Sequence, residues 1–213
     1  MNTRKVNLDP LLDILRTIKP TAVACSPEVR DWWNTKALPT LRSQALSELH
    51  RNDEFAPRIV GFMKGGDMGV VDVSKATGGN WGSTQSKDAT AFIHKIAALV
   101  PGTYASVFCS EAWALRTKNK GVLDRNVEKY PNLGDHPDRD EVMMFQMLHY
   151  DRETNTMMQQ STMIEILKVL GANRSRETWR HTKLSDDVQT TDPIDGSMTG
   201  RFVFGDPENP EEN

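Results

Sequence analysis

Glu111, Asp138, Asp140 and Glu141, with His136 close by, are the residues whose types and spacing could do chemistry in this chain. Hard divalent cations such as Mg²⁺ and Mn²⁺ take several carboxylate oxygens. Metal-dependent cleavage of a phosphodiester needs two or three acids converging from strand ends. Glu111, Asp138 and Glu141 are acids of the right type, and they would be the catalytic set in the alternative reading, a metal-dependent enzyme acting on nucleic acid or nucleotide. A restriction-endonuclease-like core would add a lysine just after the second acid, but Glu141-Val142-Met143 runs on into apolar residues. A Ser-His-Asp or Cys-His hydrolase fits less well. The chain has no Gly-x-Ser-x-Gly elbow, and Cys109 lies inside an apolar strand pattern.

The elements that must position these acids are legible. Thr103–Leu115 reads as a strand in which Val107, Cys109, Glu111, Trp113 and Leu115 share one face, with Tyr104 and Phe108 on the other. A lone carboxylate among such neighbours costs several kcal/mol unless paired, so it protonates or finds a cation. Arg139 stands just before the next strand, Glu141–Tyr150. If the two strands run antiparallel, its guanidinium reaches Glu111 as a bidentate fork. The expectation is therefore a structural ion pair between Glu111 and Arg139, with no catalytic residue, metal or cofactor, and Glu111→Gln lowers stability.

Beyond Tyr150 a short polar turn leads into Thr156–Leu167, a long hairpin rich in Met143, Met144, Met147, Met157, Met158 and Met163. Methionine fills irregular core gaps and also serves adaptable binding surfaces. Because these residues fall on both faces, one set reads as core, and Met144 and Met158 mark a partner-facing set. Trp32 and Trp33 are the other bulky pair, either core or an aromatic contact patch.

Residues 1–52 read as an N-terminal helical region. Asp9 and Pro10 open a helix with Leu8, Leu11, Leu12, Leu15 and Ile18 as its stripe, and Ser26-Pro27-Glu28 opens a second. Pro39 is expected to break or kink that second helix and start a third. Residues 53–205 read as an α+β domain with a mostly antiparallel β-sheet and a covering helix. Arg58–Met63 and Met68–Val73 flank Lys64-Gly65-Gly66-Asp67, a β-hairpin signal. The glycine-rich Gly78–Thr84 loop suits a phosphate but lacks the Gly-Lys-Ser/Thr of a P-loop. Ala89, Phe92, Ile93, Ile96, Ala97 and Val100 then make a helix that Pro101-Gly102 stops, with His94 off the stripe and solvated. After Gly171 the chain turns polar, with Ser185–Thr199 as a long loop and Arg201–Phe204 as a last strand. Residues 206–213 are a disordered acidic tail.

Bulk properties exclude more than they select. A net charge of −3 argues against a strongly basic nucleic-acid binder. Arg116–Lys120 and the Arg174–His181 segment around Trp179 leave nucleic acid a weak possibility. Two distant cysteines make neither a disulfide framework nor a zinc site. With no long apolar h-region or membrane-length run, a cytoplasmic location without a membrane partner is expected.

The Ser110-Glu111-Ala112-Trp113 strand, the Pro137-x-Arg139-x-Glu141 step and the hairpin beyond resemble an uncharacterised family of small α+β proteins of bacterial and phage genomes. The resemblance covers roughly residues 56–205, with Phe202-Val203-Phe204-Gly205 at its end. It implies the fold and these positions and supplies no reaction; the helical N-terminal region and the Gly78–Thr84 loop depart from it. Together these readings favour a non-enzymatic cytosolic protein, phage-encoded on that resemblance, that binds a macromolecular partner. The metal enzyme is the alternative, and a virion or scaffold component forming defined homo-oligomers is the third. Sequence alone names neither the partner nor the oligomeric state.

Overall fold

Strands rich in apolar residues need cover, and in this chain helices supply it on both faces of one sheet. The structure, a computed structural model, describes residues 8–18, 23–76, 84–114, 129, 137, 139–172 and 178–191. In chain order the elements are α1 (Asp9–Thr17), β1 (Val23–Ala24), α2 (Pro27–Trp32), α3 (Leu38–Asn52), β2 (Arg58–Met63), β3 (Met68–Asp72), α4 (Val73–Ala76), α5 (Thr84–Leu99), β4 (Thr103–Ala114), β5 (Asp140–Asp151), β6 (Thr156–Ala172) and β7 (Thr178–Thr191). The strands form one sheet in the order β3-β2-β4-β5-β6, and β1 and β7 both pair with β6. Every pairing is antiparallel except the short parallel contact of β1 with β6. This is an α+β fold with a mostly antiparallel sheet. None of the described helices is long and apolar enough to cross a membrane.

Each sheet face carries a helical layer. On one face Val107, Cys109, Phe145, Met147 and Ile164 pack against Trp33, Leu41, Ala45 and Leu49. On the other, Ile59 and Phe108 meet Ile93 and Ala97 of α5, while Leu148 and Met157 meet Leu99 and Leu11 of α1. The N-terminal helices thus share the main core with the sheet and add a strand to it.

Ser26 caps α2 through its hydroxyl on the Val29 N–H at 3.3 Å, with Pro27 in the first turn, as the sequence signal requires. Pro39 does not break the helix that follows. Trp33–Ala37 widens into a π-helical turn, in which the Leu38 N–H bonds to the Trp33 carbonyl, and the helix continues to Asn52. The extra residue in that turn absorbs the donor and the space that proline denies an ordinary helix. Thr35 and Thr40 bond back to the Asp31 and Lys36 carbonyls at 2.8 and 2.9 Å around the same stretch.

The Lys64–Asp67 turn forms as expected, with Gly66 at φ +93 and the Met63 N–H on the Asp67 carbonyl at 2.8 Å. Three expectations are corrected. β7 runs through the polar segment after Thr178 and takes in residues 185–191 of the expected loop, because the open edge of β6 supplies the hydrogen bonds that its own composition does not advertise. Tyr104 does not share a face with Phe108: the β2–β4 register skips it, passing from Phe62↔Ala105 to Met63↔Thr103. That bulge lets its ring join Trp32, at 4.5 Å, on the α2–α3 face. His94 is fully buried rather than solvated, its Nε2 3.0 Å from the Ser106 carbonyl. Asp138, His136, the Arg116–Lys120 segment, most of the Gly78–Thr84 loop, Arg201–Phe204 and the 206–213 tail lie outside the described residues.

Candidate functional site

At the end of the sheet where β4 leaves and β5 enters, alternation puts Glu111 and Trp113 on the α3 side of β4. The register sets Met143 opposite Glu111 and Glu141 opposite Trp113. Glu111 and Glu141 therefore stand diagonally across two neighbouring strands on one face. Lys168 of β6 closes the group, its Nζ 2.6 Å from Glu141 Oε2.

The expected Glu111–Arg139 ion pair is not formed. Glu111 accepts a hydrogen bond from the Phe55 backbone N–H, which ties the connection between α3 and β2 down onto β4. Arg139 instead lays its guanidinium over the Trp113 ring, 4.7 Å from the centroid. The physical reason is burial: Glu111 is only half-buried, so one backbone donor satisfies it, while an aromatic face offers the Arg139 guanidinium a favourable contact. Burial pushes the Glu111 carboxyl above its ordinary value, the Phe55 hydrogen bond opposes this, and the Glu141 charge adds to the rise.

Sequence reading missed the cation that closes the neighbouring pair. Arg58 of β2 pairs with Glu48 of α3 and covers the Phe55 ring, 4.3 Å from its centroid. Glu48 also accepts from the Ala56 N–H at 3.3 Å. Nothing local signals these contacts, because Glu48 and Arg58 belong to elements that meet only through the fold.

The catalytic alternative needs Glu111, Asp138 and Glu141 to converge. The structure brings Glu111 and Glu141 together, and Asp138 lies outside the described residues. Among the described residues no three His, Cys, Asp or Glu side chains are placed to hold a metal ion.

Of the residues read as partner contacts, Trp33 is fully buried, and Trp32, Met144 and Met158 are partly buried against the core. Trp33 is 0% exposed and donates its Nε1–H to Thr162 Oγ1 at 3.1 Å. Trp32 packs edge-on against Phe62, with ring centroids 5.3 Å apart. Met158 packs against the α2–α3 core, and Met144 lies against Ile59, Val73 and Phe108 beneath α5. Met143, Met147, Met157 and Met163 are buried. The methionine-rich hairpin is thus a two-sided core element, because helices cover both faces of the sheet. Trp113, by contrast, is 44% exposed.

Because its partner is a backbone N–H, Glu111→Gln is now expected to keep that bond through the amide oxygen and to shed the repulsion from Glu141. Its melting temperature at pH 7 should equal or exceed that of the wild type. The sign follows from linkage. A carboxyl whose folded pKa is raised contributes most below its unfolded value and loses that contribution as pH rises through the folded value. Glu111→Leu, which strands the Phe55 donor, should cost about 1–3 kcal/mol. Melts of both variants from acid to neutral pH check this; a clear fall for Glu111→Gln at pH 7 would restore an ionic partner.

Set against protein-family models, characterised proteins and solved structures, the chain matches none of them.

Proposed function

We propose that this is a non-enzymatic accessory protein, acting in the cytoplasm and phage-encoded, that binds a protein partner at the rim where Trp113 and Arg139 stand. The observation that carries this reading is the exposed Trp113 ring with the Arg139 guanidinium stacked on it. Tryptophan and arginine are the residues most enriched at the energetic centres of protein interfaces. Here they stand beside the Glu141–Lys168 ion pair, which supplies a polar border. Two buried free thiols, Cys25 and Cys109, accord with a reducing compartment.

Photo-cross-linking from position 113 in producing cells, read by mass spectrometry, is expected to trap one defined protein species, and Arg139→Ala to abolish the adduct. No defined adduct, or one indifferent to Arg139, sinks the reading. Titration with Mg²⁺ and Mn²⁺ separates it from the enzyme alternative: the melting temperature should not move. A rise that Glu111→Gln removes would put metal chemistry at this rim instead.

A further inference from the structure

We propose that β3 is the contact through which two copies of this chain associate, edge to edge about a two-fold axis at Val70. The two edges of the sheet differ. Along β7, α3 lies close, and its Arg42 donates to the Leu184 and Ser185 carbonyls at 3.1 and 2.9 Å. His50 bonds to the Thr182 carbonyl at 2.6 Å. Along β3, among the described residues, no strand pairs with the outer side, and Met68, Val70 and Val71 are 44%, 61% and 41% exposed. A run of exposed apolar residues on an open edge is the arrangement that pairs with another chain.

Hydrogen-bond parity says which groups are on offer. The Met63 N–H bonds to the Asp67 carbonyl and the Val73 N–H to the Pro57 carbonyl. With the β2–β3 register, odd-numbered residues of β3 therefore face β2, and Met68, Val70 and Asp72 face outward. Antiparallel pairing of two such edges must set outward residues opposite each other. Centred on Val70, it joins the N–H and C=O of Val70 to those of its copy and brings the Asp72 N–H to the Met68 carbonyl at each side. Gly69 then stands opposite Val71 of the other copy, and a Cβ at Gly69 would meet nothing within 4 Å, so there is room for that side chain. The same parity rules out the register that sets Asp67 against Asp72. At the ends, Asp67 of one copy stands opposite Val73 of the other, while Lys75 pairs with Asp72 at 3.2 Å within its own copy. A five-residue overlap is smaller than the ~800 Å² per partner of a stable interface, so the pairing is concentration-dependent.

Sedimentation equilibrium from micromolar to millimolar protein tests this. The wild type should rise from 24.0 kDa towards about twice that mass, as a two-fold pair requires. Val70→Lys sets two like charges face to face on the axis and should weaken association about tenfold or more. Val70→Thr, which keeps the strand preference, should retain it, and both variants should melt as the dilute wild type does. In concentrated wild type the Val70 amide should also slow its hydrogen exchange. A monomer at every concentration, or a dimer that Val70→Lys leaves unchanged, overturns the proposal.

Discussion

Trp33→Ala lowers the free energy of unfolding by about 3–5 kcal/mol, the range for deleting a large aromatic from a packed core. The ring is fully buried and lies among Val29, Ala37, Phe145 and Ile164. Its loss leaves a cavity between α2–α3 and the sheet, and it strands the Thr162 hydroxyl, which then keeps only Thr190 Oγ1 at 3.3 Å. Trp33 also opens the π-helical turn, so the cavity forms where the helix already departs from regular geometry. Trp33→Phe should recover most of the volume and lose the indole hydrogen bond, costing about 1–2 kcal/mol. Urea unfolding of the three proteins at one pH checks the order. A Trp33→Ala loss below about 1 kcal/mol, the size of an ordinary surface change, would mean that the α2–α3 layer is not seated on the sheet.

Acid destabilises this protein through His94. Burial lowers its pKa from 6.5 to about 4; the Ser106 carbonyl opposes that change, and the Lys95 charge adds to it. The Nε2–H tautomer donates to Ser106, and Nδ1 and the Ser106 hydroxyl have no protein partner. The folded state therefore holds a neutral imidazole and resists a second proton, while the unfolded chain accepts one. Stability is complete above pH 6.5 and declines as pH falls towards 4. The loss is about 3 kcal/mol across that window, because each tenfold difference in proton affinity between the two states is worth about 1.4 kcal/mol. His94→Gln can still donate to Ser106 but has nothing to titrate, so its unfolding free energy should fall about 3 kcal/mol less over the same range. Parallel slopes for the two proteins would show that His94 carries no such penalty.

His94 also shows where helical periodicity is too coarse. It was read as off the stripe of Ala89, Phe92, Ile93, Ile96, Ala97 and Val100, but the buried line of α5 runs through Ser86, Thr90, His94 and Ala98, and Phe92 and Val100 are exposed. Which side of a helix faces the sheet is set by how it docks there, and small or polar residues such as Ser86 and Thr90 on that side give no apolar signal. The paired methionines behave similarly. Their alternation on β5 and β6 was plain from the sequence, and only the presence of helices on both faces made both sets core.

The Glu111 site divides along the same line. Strand alternation placed Glu111 with Cys109 and Trp113 on one face, and that face meets α3. Its partner could not be read, because the Phe55 N–H is a backbone group in a connection that every residue type would offer equally. Arg139 was the nearest cation in the sequence pattern, and in space its guanidinium lies over the Trp113 ring.

By itself, then, the sequence determined the α+β class, the hairpin at Lys64–Asp67, the cap at Ser26, the long covering helix and the central strand bearing Glu111. Each of these rests on interactions within a few residues or on a period that repeats along one element. Tertiary structure alone decided the continuous helix through Pro39, the recruitment of β7, the displacement of Tyr104, the burial of His94 and the exchange of partners by Glu111 and Arg139. Those outcomes depend on contacts between elements far apart in the chain. There the gain from filling an open strand edge or covering a face outweighs local preference.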